Sequence, residues 1–428
     1  MENQGNEEGR KLRVGFLSYY PPTYGGATRL ATRLASHLTT EGHEAHFIGY
    51  DTDFNPAELR RKGIKLHRVE RIDLPATSSQ PYTWTLASRL HAVHAEVNFD
   101  VVHVHYGIPY AISAFLAQSS SRSEGRDFPY VITGHGTDIH TYGKHPDLNP
   151  MIRLAFENAD ALTYVGEGLR ELAERDYDDG GLGIKKKGKV VKNFVETERF
   201  FPQDSDLRAK LGIPEDAFVL GHVSNFSPIK QTHYFSRVAE ELKRLGELDG
   251  TYFLLCGSGD LKDRLERDVS VKGLSDHFRF TGKLESDALR LAYSTMDFSA
   301  LVSKREGCPL AVLESWACGT PVIGTRVEGI AHTIDDGVTG FLFNQEFRSA
   351  DVYSDDVTQA DVREFLNILR RVKNNKLLVK RMSDASFKYA VDNHSTNVVV
   401  GQYLDIYRDV IRNHNRVLDK GRVKSGRA

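Results

Sequence analysis

Apolar residues fall along this chain in short β-rich runs, separated by longer stretches in which they recur every three or four residues, the alternation of strand and amphipathic helix. Residues 12–18 form the first run. A Gly/Pro loop follows, Tyr19-Tyr20-Pro21-Pro22-Thr23-Tyr24-Gly25-Gly26, and then a helical pattern over 27–40. The same reasoning predicts strands at 44–49, 101–105 and 130–133, with helices at 84–97, 108–117 and 150–158. A polar segment, 196–211, interrupts the pattern after Asn193-Phe194-Val195. It restarts with strands at 218–222, 252–256, 278–281, 297–302 and 322–325, and helices at 230–245, 261–272, 286–294 and 310–318. Beyond Asp361 the chain reads as helical.

Strands alternating with helices imply parallel, doubly wound sheets, so the expected fold class is α/β with two Rossmann-like domains. The boundaries that follow are a tail at 1–11, an N-terminal domain at 12–195, a linker at 196–212 and a C-terminal domain at 213–396. The last stretch, 397–428, is long enough to cross back onto the first domain.

Lysine and arginine total 56 against 58 aspartates and glutamates, so no global field favours nucleic acid or an acidic membrane. Any phosphate must be held locally. Cys256, Cys308 and Cys318 lack metal-ligand spacing and point to a reducing compartment. The first residues, 1–11, have no apolar segment of the kind a signal peptide or membrane anchor needs, so a cytoplasmic location is expected, with homodimerisation left open.

Four places carry candidate chemistry. Tyr24-Gly25-Gly26 lies between a strand and its helix, where backbone N–H groups can meet an anion, although the spacing of a dinucleotide fingerprint is absent. Gly134-His135-Gly136-Thr137-Asp138 follows a strand, which puts His135 at the carboxyl edge where open α/β sheets bind ligands. His103 and His105 read as ordinary sheet residues, since a metal site would need a third ligand. Ser224-Asn225-Phe226-Ser227-Pro228-Ile229-Lys230 offers a lysine that can reach a phosphate at the same kind of edge.

The fourth place is the segment from Arg305 to Ile323, in which Glu306 sits in a Gly/Pro loop, Glu314 on a helix, and Gly319-Thr320-Pro321 leads into the next strand. On one helix, two acids eight residues apart would be separated by about 12 Å. That exceeds the roughly 5 to 9.5 Å that paired glycosidase carboxylates need. Two separate grips on one elongated ligand fit better.

With Glu306, Glu314, Cys318-Gly319-Thr320-Pro321-Val322 and Gly337-Val338-Thr339-Gly340-Phe341-Leu342, the chain resembles the family 4 retaining glycosyltransferases of the GT-B fold. Pro81-Tyr82-Thr83, His103-Val104-His105-Tyr106-Gly107-Ile108-Pro109, Gly134-His135-Gly136-Thr137-Asp138, Asn193-Phe194-Val195 and His222-Val223-Ser224-Asn225-Phe226 narrow this to the bacillithiol-pathway synthases that join N-acetylglucosamine to L-malate. The resemblance implies two domains facing a cleft, a nucleotide-sugar donor and a small polar acceptor. It implies that Gly25 and Gly26 approach the diphosphate, His135 contacts the transferred sugar, and Lys230 binds the β-phosphate. Glu306 would hold sugar hydroxyls and Glu314 the ribose, with Gly307, Cys308 and Leu310 beside the donor; Tyr106, Thr137 and Asn225 would border the acceptor. No cofactor is implied, and no metal is required if Lys230 and the helix ends neutralise the diphosphate.

The chain departs from those synthases at several positions. Ala27-Thr28 replaces Ser-Gly, Ser227 replaces an arginine, and Gly307-Cys308-Pro309 replaces Ser-Phe-Gly. Glu328 and His332 stand where glycine and glutamate are common. The missing cation at Ser227 makes Arg29, just after the glycine loop, the nearest candidate partner for an acidic acceptor. Three alternatives stay open: a natural-product glycosyltransferase acting on another small molecule, a nucleotide-sugar epimerase, and a silent nucleotide-sugar sensor.

Overall fold

The computed structural model describes residues 10–18, 26–50, 56–70, 72, 81–345 and 357–425. The chain divides into two compact units, one formed by Met1–Lys192 with Val399–Ala428, the other by Asn193–Val398. Each contains a parallel sheet.

In the first unit the strands are β1 (Arg13–Leu17), β2 (Glu44–Tyr50), β3 (Lys65–Val69), β4 (Val101–His105), β5 (Tyr130–Gly134), β6 (Ala161–Tyr164) and β7 (Lys189–Val190). Among the described residues the order is β3-β2-β1-β4-β5-β6-β7, every pairing parallel. The order reverses between β1 and β4. Right-handed crossovers then send helices to both faces and leave a crevice at the carboxyl ends of those two strands. β1 and β4 are buried on both faces, as a doubly covered sheet requires: Val14, Phe16, Val102 and Val104 are fully buried, and so are His103 and His105 on the other face of β4.

The last helix, Thr396–Ser425, contributes Tyr403 and Tyr407 to this unit, both fully buried. A buried phenol hydroxyl usually takes a hydrogen-bond partner. Tyr407 finds it 2.6 Å away at Nδ1 of His103 on β4, and the Nε2 of that ring lies 2.7 Å from the Thr133 hydroxyl on β5.

The second unit holds β8 (Phe218–Val223), β9 (Thr251–Cys256), β10 (Phe278–Gly282), β11 (Phe298–Leu301), β12 (Val322–Thr325) and β13 (Gly340–Phe343), in the order β10-β9-β8-β11-β12-β13, again parallel. Here the reversal lies between β8 and β11. Its core joins Phe235, Phe253, Phe298, Phe343 and Phe365. Trp316 is fully buried on helix Leu310–Ala317, its indole N–H donating to the Thr339 carbonyl at 3.0 Å; the Ser386 hydroxyl donates to the same oxygen at 2.9 Å. This holds Lys376–His394 against the helix that carries Glu314.

Two helices start later than their periodicity suggests. Residues 108–117 are not one helix: Ile108 is extended (φ −125°, ψ 134°) and the regular helix is Ile112–Ser123. Pro109 explains this, because its ring excludes the preceding residue from helical geometry. Lys230 does not open a long helix either. It ends a 3₁₀ turn, Pro228–Lys230, and Gln231 adopts a left-handed backbone (φ 46°) before the helix Tyr234–Leu245 begins. Among the described residues no helix is long and apolar enough to cross a membrane.

Candidate active site

In the second unit the loops that leave β8 and β11 meet at the point where the strand order reverses. The Lys304 N–H donates to the Ile229 carbonyl at 2.9 Å, fixing one loop against the other. The Lys230 ammonium and the Glu306 carboxylate form an ion pair across this junction. Their side chains are 23% and 12% exposed, enough to stay reachable by a ligand. Asn225, just past β8, is exposed beside Gly259, where a Cβ would come within 2.5 Å of the Asn225 Oδ1.

Downstream of Glu306 the loop is pinned from beneath. The Asn193 amide donates to the Cys308 carbonyl at 2.7 Å, and Cys308 and Leu310 are buried while Gly307 is partly exposed. Pro309 precedes the helix Leu310–Ala317, whose Glu314 is only 2% exposed. The short helix Glu328–Ala331 lies directly against the Glu306 loop, because a Cβ on Gly329 would sit 2.2 Å from the Glu306 carbonyl oxygen and 2.3 Å from that of Gly307. Both obstacles are backbone and cannot swing away. Gly329→Ala is therefore expected to displace Glu306, costing about 1–3 kcal/mol of stability as overpacking and a larger share of catalytic activity. Thermal melting with turnover checks this: wild-type turnover in the variant would contradict it.

In the first unit the candidate residues gather at the carboxyl ends of β4 and β5. Asp138, fully buried, accepts hydrogen bonds from the backbone N–H groups of Gly136 (2.8 Å), His135 (3.1 Å) and Gly107 (3.3 Å). One carboxylate thus ties the loop after β5 to the loop after β4. Burial raises its pKa to about 6, against the lowering effect of those donors. Tyr106, immediately before the tied Gly107, is held at φ 96°, a backbone region that side chains rarely occupy.

His135 is partly exposed; its Nε2 lies 2.9 Å from the Nδ1 of buried His105. Burial lowers the pKa of both rings, that of His135 to about 3, so both are neutral near pH 7. Thr137 is exposed. Gly26 is the exposed first residue of helix Gly26–Thr40, and Arg29 is exposed one turn later; Gly25 lies outside the described residues. Among the described residues no group of three or more His, Cys, Asp or Glu is arranged to hold a metal ion.

From sequence, Asp138 has no assigned role within Gly134–Asp138 and His105 reads as an ordinary sheet residue. For Asp138 a signal was present: an aspartate shortly after Gly-His-Gly is the residue type that accepts from nearby loop N–H groups. Nothing local marks His105, whose partner is 30 residues away on the next strand's loop.

Two parallel-sheet units, each with its candidate residues at the carboxyl ends of its strands, are the layout expected of a two-domain glycosyltransferase. Comparison with known proteins agrees. Residues 24–199 match the model described as Glycosyltransferase Family 4 and residues 203–364 that described as Glycosyl transferases group 1. N-acetyl-alpha-D-glucosaminyl L-malate synthase of Bacillus anthracis is 32% identical over 94% of this chain and 98% of its own length. The D-inositol 3-phosphate glycosyltransferase of Actinosynnema mirum is 31% identical over 74% of this chain and 80% of its own. Among solved structures, a glycosyltransferase from Rickettsia africae superposes with a TM-score of 0.73 at 19% identity, covering 94% of this chain and 99% of that one. Anabaena HepE in complex with UDP and glucose gives 0.68 at 17%, covering 92% and 99%. The chain belongs to the family 4 glycosyltransferases, and its fold is GT-B.

Proposed function

We propose that this glycosyltransferase moves N-acetylglucosamine from UDP-N-acetylglucosamine to the hydroxyl of a small, malate-like acceptor, with retention at the anomeric carbon and without a metal ion. The observation that carries the reading is the Lys230–Glu306 pair at the strand-order reversal of the second unit. It brings a compact cation for a leaving diphosphate next to a carboxylate suited to sugar hydroxyls. The B. anthracis synthase, similar over nearly its whole length, supports the choice of sugar and acceptor.

On this reading Glu314 holds the ribose, and Gly25, Gly26 and the backbone from Gly307 to Leu310 approach the donor. His135 contacts the transferred sugar, while Tyr106, Thr137, Asn225 and Arg29 border the acceptor. As the bond from the anomeric carbon to the β-phosphate oxygen breaks, its electron pair goes to the diphosphate, where Lys230 meets the growing charge. The acceptor oxygen bonds to the same face of the sugar, and its proton passes to the departing phosphate oxygen.

Purified full-length protein incubated with UDP-N-acetylglucosamine and L-malate tests this. The expected result is UDP release that depends on malate and persists in excess EDTA, with a raised malate KM in Arg29→Ala, because an acceptor carboxylate without a cation partner binds poorly. Complete loss in EDTA, restored by a divalent metal, would give the role of Lys230 to an ion. No transfer to malate, with thermal stabilisation by the donor retained, would move the acceptor to another small molecule. Ser227, standing where a second cation is expected, makes that the outcome to watch.

A further inference from the structure

His105 and His135 form an isolated pair. The only hydrogen bond the structure gives to either ring, among the described residues, is the one between them, and the Nε2 of His105 is buried without a partner. His103, two residues earlier on the same face of β4, has both ring nitrogens engaged, by Tyr407 and Thr133. It packs against His105 at a ring-centroid distance of 4.1 Å and so holds that ring in place.

Both members of the pair are neutral, so the contact contains one bridging proton, and its ownership decides what each outer nitrogen presents. If His135 donates, the buried outer nitrogen of His105 carries an N–H with no acceptor. If His105 donates, that nitrogen carries only a lone pair. Buried orphan N–H groups are the rarer and costlier of the two. The second arrangement therefore prevails, and it leaves the proton of His135 on Nδ1.

Building on the glycosyl-transfer reading, we propose that His105 is a positioning residue that locks His135 in its Nδ1–H tautomer, making His135 a hydrogen-bond donor to a ligand oxygen rather than a base. His105 itself touches no ligand. Its effect is to fix both the plane and the polarity of the ring that does.

The tautomer can be read without turnover, from long-range ¹H–¹⁵N NMR spectra of histidine-labelled full-length protein at neutral pH. His135 is expected to show a protonated Nδ1 and a bare Nε2; the reverse pattern in wild type would overturn the proposal. His105→Phe removes the donor to Nε2, so His135 should shift toward the Nε2–H form. The KM for UDP-N-acetylglucosamine should then rise about tenfold, the value of one neutral hydrogen bond, with a smaller change in kcat. His105→Asn, whose amide nitrogen sits where Nδ1 was, should restore the wild-type spectrum and most of the affinity. An unaltered His135 spectrum in the Phe variant, or no rescue by Asn in a folded protein, would refute the role. If the protein proves to use another donor or acceptor, the spectra still decide the tautomer, so the two readings fail separately.

Discussion

Replacing Glu306 by alanine is expected to lower kcat/KM by about 10²–10³-fold, the usual cost of removing one well-placed polar group from a reacting centre, while the protein stays folded. The side chain lies in the loop after β11, outside the phenylalanine-rich core of its unit, so its removal opens no apolar cavity. Lys230 loses its counter-charge. Being 23% exposed, it can recruit water, which puts the stability loss nearer the roughly 1 kcal/mol of an exposed pair than the about 3–5 kcal/mol of a fully buried one. Glu306→Gln separates charge from shape: if the carboxylate both reads hydroxyls and orients Lys230, the amide should recover little. UDP release measured beside near-ultraviolet circular dichroism checks both variants, and near-normal turnover in either would remove Glu306 from the reaction.

The second large effect is expected at Asp138. In the unfolded chain its carboxyl titrates near the ordinary 3.8, whereas burial raises it to about 6 in the folded protein. The folded state therefore holds the proton more tightly, and stability falls as pH rises from about 4 to 6, then stays level above. At about 1.4 kcal/mol per unit of pKa the cost is on the order of 3 kcal/mol. The three backbone donors from two loops are already included in this figure: by favouring the ionised carboxylate they keep burial from raising the pKa further. Asp138→Asn should abolish this pH dependence of melting between 4 and 6, and should also reduce transfer, because its NH₂ faces donors. Asp138→Ala should be worse, leaving three N–H groups without an acceptor at about 1–3 kcal/mol for each that stays buried. Wild-type activity should show an acid limb near pH 6 that the Asn variant lacks. Denaturation midpoints and rate profiles across this range test both statements.

How much of this was legible beforehand depended on whether the information was local. β4 and β12, rich in valine and isoleucine, were readable to the residue, and β1, β2, β5 and β8–β11 to within a residue or two. β3, with the sequence Lys-Leu-His-Arg-Val at a sheet edge, has too few apolar positions to announce a strand, β7 has only two residues, and β6 and β13 go unpredicted. The start of the helix after Lys230 was misread because the left-handed Gln231 carries none of the residue types that usually signal that conformation. In the site, the Gly/Pro loops exposed Lys230, Glu306 and His135 as individuals. Their partners were invisible because the pairing is tertiary: Lys230 meets Glu306 across 76 positions, and His135 meets His105 across 30.

The bond from Tyr407 to His103 has a consequence for how the molecule comes into being. The first unit is assembled from both ends of the chain, whereas the second is one continuous stretch, Asn193–Val398. Domains made on the ribosome ordinarily fold in the order in which they emerge. Here the N-terminal sheet emerges first, yet the phenol that satisfies His103 on its central strand is among the last groups translated. The later-made unit can complete its core while the earlier one still waits with one nitrogen of a buried histidine unpaired, the other being held by Thr133 within the same sheet. Maturation of this enzyme should thus end where synthesis began, with the closing helix sealing the oldest part of the nascent protein.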